Sequence, residues 1–164
     1  MSHKELDQVS MSEYVEGVRG AIRQRAKFFA FVYDEIRKQY GKEKASEITS
    51  KAAYTLGVER GKNSLKAKPE LSKGKLSDWT DRTRKQLVIF DSRVPKEGII
   101  QMYDCPLVDA WKELGKSTDE IRALCDAAVA SDQGEVSILP FTLQVTHRIG
   151  TGEPYCEQVY QKKI

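Results

Sequence analysis

Hydrophobic residues recur at helical spacing through the first half of the chain. The apolar positions that follow one another at intervals of three, four and seven are Val18, Ile22, Phe29, Val32, Ile36 and Tyr40. This spacing predicts one stripe of an α-helix from about Tyr14 to Tyr40, and Gly41 is suited to end it because glycine adopts the left-handed cap conformation. Residues 1 to 12, which precede the stripe, are expected to be flexible.

A second helix is predicted from about residue 42 to 61. Gly57 and Gly61 lie four residues apart near its end. If both are helical, they form a smooth strip that another element can approach closely; otherwise they mark a fraying C-terminus. Residues 62 to 76 contain five lysines and one glutamate, which favours a solvated loop over an anion-binding one. Ser77 or Asp78 is suited to cap a third helix.

The second half of the chain mixes helices with strands. Residues 98 to 103 read as a strand, and residues 105 to 115 as a short helix with Pro106 in its first turn. Ser117 and Glu120 have capping-box spacing, so a further helix is expected to start there and to stop near Asp132. Strict alternation over residues 136 to 149 predicts a half-buried strand. A turn and a last strand over 155 to 160 follow, in the stretch HRIGTGEPYC.

This order of elements predicts an α+β fold, with a helical N-terminal half packed on a small antiparallel sheet formed mainly by the C-terminal half. The length of 164 residues suits one domain over residues 13 to 164. The net charge of +3 is mild and there is no aromatic-plus-basic motif, so nucleic acid is not an expected partner. No apolar run is long enough to cross a membrane and no signal peptide is evident, so a cytoplasmic location is expected.

The two histidines and three cysteines offer few places for chemistry. A two- or four-residue loop centred on Thr151 and Gly152 would pair His147 with Cys156 on one face of the sheet, their Cβ atoms about 5 Å apart. A three-residue loop would instead turn Cys156 to the other face. His147 is predicted to point toward the interior, where a histidine serves either as a site residue or as a core residue.

Two further cysteines and one carboxylate complete the candidate set. Cys125 and Asp132 are seven residues apart on one helix stripe, with Asp132 expected at the helix end, where the dipole opposes its charge. Cys105 lies at a helix N-terminus, where free N–H groups lower a thiol pKa. These residues allow a cysteine nucleophile assisted by His147 or Asp132. They also allow a zinc or manganese site made by Cys125, His147, Cys156 and Asp132, although their spacing matches no compact metal motif.

The sequence resembles the L-2-amino-thiazoline-4-carboxylic acid hydrolase family over about residues 20 to 160. The resemblance rests on RAKFFAFVYDEIRKQYGKEKASEITSKAAYTLGVERG, on CPLVDAWKELGKSTDEIRALCDAAVASDQ and on GTGEPYC. Within these segments it is carried by the residues Cys105, Pro106, Trp111 and Gly115, by the spacing of Cys125 and Asp132, and by Gly152 and Glu153 ahead of Cys156.

The resemblance implies a hydrolase that opens a small ring at a non-peptide C–N bond, in a step toward L-cysteine. It points to Cys125, Asp132 and Cys156 as site residues, with Cys105 next. Arg148 or Arg93 could hold a substrate carboxylate, and Trp111 is a further predicted substrate contact. Metal use stays open, as does a homo-oligomer. The alternative function is a small-molecule-binding or sensor domain of a related fold without turnover.

Overall fold

The structure is a computed structural model that describes residues 9–163. Its first helix, α1, spans Met11–Tyr40 and begins earlier than predicted, because Ser10 and Glu13 form a capping box. Gly41 ends the helix, as expected, with a positive φ of 84°, but its ψ of 170° differs from the left-handed cap conformation that was predicted. Of the segment expected to be flexible, residues 1 to 8 lie outside the described residues, and residues 11 and 12 are helical.

The face that α1 buries overlaps the predicted stripe at Phe29 and Ile36, which pack partly buried against the core, but its centre lies at smaller residues. Its buried residues are Ala26, Ala30 and Tyr33, whereas Val32 and Tyr40 are exposed. The reason is close packing, since the indole of Trp111 donates a 2.9 Å hydrogen bond to the Ala26 carbonyl. Small residues at this face let the neighbouring helix come near enough for that bond.

Helix α2, Lys42–Ala67, crosses a later helix, α5 (Thr118–Ser137), at very short range. A Cβ atom on Gly57 would lie 1.9 Å from the Ser131 carbonyl oxygen, and one on Gly134 would lie 2.1 Å from the Tyr54 carbonyl oxygen. Gly57 and Gly61 therefore form the smooth strip, and the alternative of a fraying end is wrong. Helix α2 also extends through residues 62 to 67, where a loop was predicted.

A 3-10 turn, Pro69–Lys73, leads into α3, Leu76–Gln86. Leu71 is fully buried in this turn, so the lysine-rich segment is anchored to the core rather than loose in solvent. Neither Ser77 nor Asp78 caps α3, since the N-cap is Lys75, two residues before Ser77 and three before Asp78.

The four strands form one antiparallel sheet in the order β1-β2-β4-β3. They are β1 (Ser92–Lys96), β2 (Ile99–Met102), β3 (Phe141–His147) and β4 (Cys156–Lys162). Strand β1 was not predicted; it contains Pro95 and pairs only with β2, at the edge of the sheet. The α+β class is confirmed, with the helices mainly in the N-terminal half and the sheet in the C-terminal half.

Two helices of the second half complete the fold. Helix α4 spans Pro106–Glu113, with Pro106 in its first turn as predicted. Helix α5 spans Thr118–Ser137 and starts at the predicted capping box of Ser117 and Glu120. It does not stop near Asp132, because the glycine of the expected turn, Gly134, is instead the point where α5 meets α2.

Helix α5 joins the two clusters of buried side chains in the fold. Leu124 packs with Tyr33 and Trp111 in the first cluster, and Val136 packs with Trp79 and Phe141 in the second. None of the helices within residues 9–163 combines the length and the apolar character that a membrane span needs.

Candidate functional site

The candidate residues lie along a seam between α5 and β4. Cys156, Gln158 and Tyr160 alternate along β4 and so point to one face of the sheet. Gln158 Nε2 donates to Asp132 Oδ2 at 3.1 Å, which fixes that face against α5. On the helix, Cys125 and Asp132 are two turns apart, about 10 Å. The seam therefore has a thiol end at Cys125 and a charged end at Asp132.

The thiol end brings together all three cysteines, each of which is a free thiol. The backbone N–H of Ile149 donates to Cys156 Sγ at 3.3 Å. A Cβ atom on Gly150 would lie 2.4 Å from Cys125 Sγ, so the loop before β4 sits directly on the helix. Cys105 is near enough to both other cysteines for their charges to be coupled.

Burial keeps these thiols protonated near neutral pH. Burial, with smaller contributions from Cys105 and Cys156, raises the pKa of Cys125 to about 12. Burial also raises the pKa of Cys105 to about 11, although the N–H groups of Val108 and Leu107 oppose the shift. The expectation that the helix N-terminus lowers the Cys105 pKa is wrong in its net sign, because desolvation outweighs those N–H groups.

Arg148 is the cation whose charge acts on the thiol end. Its charge lowers the pKa values of Cys125 and Cys156, against the larger effect of burial. The guanidinium pairs with Asp126, an exposed carboxylate on α5. Arg93 lies elsewhere, with its guanidinium stacked 4.4 Å from the centre of the Tyr103 ring. The structure thus places Arg148, and not Arg93, beside the seam.

The charged end is organised around Asp132. Arg60 of α2 donates to Asp132 Oδ1 at 3.0 Å and to Ser131 Oγ at 3.0 Å. Gln158 holds the other carboxylate oxygen and in turn accepts a 2.7 Å hydrogen bond from Tyr160 Oη. Each oxygen of Asp132 therefore has a fixed donor from a different element.

Behind Asp132 lies a buried charge network centred on Glu135, whose side chain is 7% exposed. Glu135 Oε1 accepts hydrogen bonds from Arg82 at 2.7 Å and from Ser64 at 3.1 Å. Glu135 Oε2 accepts from Arg60 Nε at 3.1 Å. Two arginines and two carboxylates balance one another, which is what a buried charged group requires.

Asp132 is set deep in the molecule and yet is reached by solvent. Its side chain keeps 31% of its surface exposed, while the surrounding protein raises the pKa of its carboxyl group by desolvation. The charge of Arg60 and its hydrogen bond oppose that shift. A carboxyl group with a raised pKa and an open side is suited to exchange protons with a bound molecule.

His147 does not face Cys156, and the predicted pairing is wrong. A bulge between Val145 and His147 shifts the register, so His147 pairs with Glu157. Glu157 lies on the outer face of the sheet, opposite to that of Cys156. There the imidazole stacks 4.8 Å from the centre of the Tyr155 ring, and its Nδ1 lies 3.6 Å from Glu157 Oε1.

Two other expectations do not match the geometry. The metal ligand set of Cys125, His147, Cys156 and Asp132 is not assembled, and within residues 9–163 no three such side chains converge on a point. The residues present therefore do not fit a metal centre, because His147 is on the outer face and Asp132 is two turns from Cys125. Trp111 is fully buried with its N–H satisfied, so it belongs to the core and not to a substrate surface.

Sequence reasoning missed most of the charged end, namely Arg60, Arg82, Glu135, Gln158 and Tyr160. Because the helix was predicted to stop near Asp132, Glu135 was not expected to be helical. In the continuous helix it lies three residues after Asp132 and on the same side. Arg60 stands next to Gly61 in the smooth strip. If a second helix approaches that strip closely, Arg60 beside it is expected to contact the same helix.

The fold and seam define an α+β protein in which one helix–strand junction joins a neutral thiol cluster to a solvent-reached carboxylate. The family model for L-2-amino-thiazoline-4-carboxylic acid hydrolase matches residues 21–160, and the chain belongs to this family. The resemblance seen in the sequence is thereby confirmed. No curated protein matches the chain.

Proposed function

We propose that this protein is a hydrolase that adds water to an amidine-type ring carbon and breaks the ring C–N bond, with Asp132 as the acid and base. Family membership supports the reaction class. The observation that carries the residue assignment is the position of Asp132, which is held by Arg60 and Gln158 and keeps one side open to solvent.

The proposed step balances with water alone. The Asp132 carboxylate takes a proton from water, and the oxygen bonds to the carbon that lies between the ring sulfur and two nitrogens. The protonated Asp132 then returns that proton to the ring nitrogen. The new hydroxyl group gives its own proton to Asp132, which passes it to the same nitrogen as the carbonyl forms and the C–N bond breaks. The product keeps the carbon–sulfur bond and carries a free amine and a carbonyl, so one water is gained and nothing is oxidised or reduced.

The seam also offers a place for a substrate carboxylate. Arg148 is paired with Asp126, whose exposed side chain can give way to a ligand. Asp126, the partner of Arg148, precedes Asp132 by six residues on α5, about 9 Å along the helix axis, so a small molecule held by Arg148 can extend toward Asp132. In this arrangement Arg148 holds the carboxylate and Asp132 faces the amidine carbon.

A cysteine-dependent route is the alternative chemistry. Cys125 lies on the same seam, and the Arg148 charge favours its thiolate. We rank it second because burial raises the Cys125 pKa to about 12, whereas a nucleophilic cysteine needs the thiolate near neutral pH.

The test is turnover of L-2-amino-thiazoline-4-carboxylate by the purified chain, measured by mass spectrometry as the gain of one water. We expect Asp132→Asn to lower kcat by about 100-fold or more, as for loss of a general acid–base group. Asp119→Asn, an exposed aspartate on the same helix, is the matched control and should keep full activity. A chelator-treated sample alongside should turn over unchanged.

Three results would contradict the proposal in different ways. Full activity of Asp132→Asn would remove Asp132 from the mechanism, and loss of activity in Cys125→Ala with a normal Asp132→Asn would favour the cysteine route. Tight binding of the ring compound by the wild-type chain with no turnover would favour a binding or sensor domain.

The pH profile checks the same residue. Desolvation raises the Asp132 pKa above its ordinary value of 3.8, and the base form is needed for attack. We therefore expect kcat/KM to rise with pH through an acid limb above 3.8, and to fall at lower pH. A limb at or below that ordinary value would contradict the assignment.

A further inference from the structure

The side-chain amide of Gln158 meets a different partner at each of its two ends. Gln158 is buried; its Nε2 donates to Asp132 Oδ2 at 3.1 Å, and its Oε1 accepts from Tyr160 Oη at 2.7 Å. A half turn of the amide would exchange the donor and the acceptor at nearly the same shape. The direction of the amide is therefore decided by its partners and not by its packing.

Tyr160 anchors the far end of this hydrogen-bonded chain. The residue is 5% exposed, and its ring lies against the indole of Trp79 with the two ring centres 5.5 Å apart. Burial raises the pKa of Tyr160 well above its ordinary value of 10, so the hydroxyl keeps its proton at neutral pH. Among the described residues, Gln158 Oε1 is the acceptor that the structure gives to this proton.

The direction of the amide matters because its two ends act oppositely on Asp132. The nitrogen only donates, so it favours the carboxylate, whereas the oxygen only accepts and would favour protonated Asp132. In the reversed direction Gln158 Nε2 would face Tyr160, and the Tyr160 proton would lose its acceptor in a buried place. Leaving a buried donor without a partner is costly. Tyr160 therefore opposes the direction that favours protonated Asp132.

The charged groups around Asp132 act whichever way the amide points. Arg60 from α2 lowers the pKa of Asp132, and Glu135 on α5 raises it. Arg82 from α3 bonds to Glu135. A neutral side chain that can present either a donor or an acceptor to Asp132 is thus contributed by β4, through Gln158.

We propose that Tyr160 is a positioning residue, which fixes the direction of the Gln158 amide and thereby keeps Asp132 ionised. Its value to the reaction rests on the proposed function, in which ionised Asp132 is the base. Tyr160 acts only through Gln158, so the hydroxyl of Tyr160 should have no effect on Asp132 once the amide is removed.

The experiment is a carbon-13 NMR titration of the Asp132 carboxyl group in the full chain, with its signal assigned by its loss in Asp132→Asn. We expect Tyr160→Phe to raise the Asp132 pKa by about 0.5 to 1 unit, the size of one hydrogen-bond preference. Gln158→Met should raise it as well, and adding Tyr160→Phe to Gln158→Met should cause no further shift. Tyr155→Phe is the matched control, since it removes the hydroxyl of a tyrosine that stacks on His147 at the outer face.

An unchanged Asp132 pKa in folded Tyr160→Phe, or an equal rise in Tyr155→Phe, would overturn the proposal. A further shift in the Gln158→Met background would rule out action through the amide. If Tyr160→Phe does not fold, as judged by circular dichroism, Gln158→Met still decides, because a wild-type Asp132 pKa in that variant would show that the amide has no influence.

The pH profile of turnover gives the second readout. In Tyr160→Phe the acid limb of kcat/KM should move to higher pH by the same amount as the NMR titration, while the plateau above the limb stays unchanged. A lower plateau with an unmoved limb would mean that Tyr160 has only a structural role. Failure of the proposed function is seen separately, as full turnover by Asp132→Asn, and leaves the result of the NMR titration unaffected.

Discussion

At one end of the seam Cys125 lies against Gly150 and Cys156 accepts a hydrogen bond from Ile149, whereas at the other end Arg60 and Arg82 bond to Asp132 and Glu135. The same two elements, α5 and β4, contribute to both ends. At the thiol end, burial acts on groups that are neutral when protonated, so the pKa values of Cys105 and Cys125 rise and no partner is required. At the charged end, burial acts on ions, so every charge is tied to an opposite one.

The contrast shows where this fold can tolerate change. A buried thiol that loses a neighbour loses packing and little else. A buried guanidinium that loses its carboxylate keeps its charge in a poorly solvated place, which is far more costly. The two ends should therefore differ more in their response to substitution than in their exposure to solvent.

The largest expected effect is that of Glu135→Ala. This change leaves Arg82 and part of Arg60 without their buried acceptor, and breaking a buried ion pair costs about 3–5 kcal/mol. The measurement is urea unfolding at neutral pH, with Gln133→Ala, an exposed residue on the same helix, as control. If Glu135→Ala lowers the free energy of unfolding by less than about 1 kcal/mol more than the control does, the network is solvated and the two ends do not differ as described.

The next effect concerns the contact that positions the charged end. A Cβ atom at Gly134 would lie 2.1 Å from the backbone oxygen of Tyr54, which cannot rotate away. Gly134→Ala should therefore push α2 from α5 and destabilise the fold by about 1–3 kcal/mol or more. It should also lower activity, because Arg60 reaches Asp132 across this contact.

Gly17→Ala is the matched control for that substitution. Gly17 lies inside α1 with nothing within 4 Å of an added Cβ, so alanine there should stabilise the fold by about 0.5–1 kcal/mol. Thermal unfolding of both variants gives the comparison. Equal changes in the unfolding temperature for the two variants would mean that the α2–α5 contact is looser than described.

The two ends also differ in how far the sequence predicts them. Cys105, Cys125 and Cys156 are few and conspicuous, and their elements were predicted, so the thiol end was anticipated. The charged end depends on two helices that approach each other closely at glycines. In a local sequence pattern, however, glycine indicates the end of a helix and not a contact between helices. At Gly41 the local meaning is right, and at Gly134 the packing overrides it.

His147 shows a second limit of local reasoning. Alternation over residues 136 to 149 predicted the strand that contains it. The strand β3 is shorter, Phe141–His147, because α5 continues to Ser137. One bulge of a single residue then moves His147 to the opposite face. Bulges carry no dependable signature in the residues themselves, so the face of a strand's last residue cannot be read from its pattern.

The smallest expected effect tests whether the thiol end is held by packing alone. Gly150 has no positive φ, so alanine is strained there by its contacts alone. The main one is with Cys125 Sγ, 2.4 Å from the added Cβ, and a weaker one is with Ile121 Cγ2 at 3.1 Å. Gly150→Ala should destabilise the fold, and Cys125→Ala should relieve part of that cost by removing the sulfur. The double variant should therefore be about 1 kcal/mol more stable than the sum of the two single changes predicts, since residues in contact couple. Chemical unfolding of the four proteins measures this coupling, and strictly additive effects would mean that the loop does not rest on Cys125. If coupling is found and Cys125→Ala keeps its turnover, the thiol end supports the seam while the chemistry belongs to the charged end.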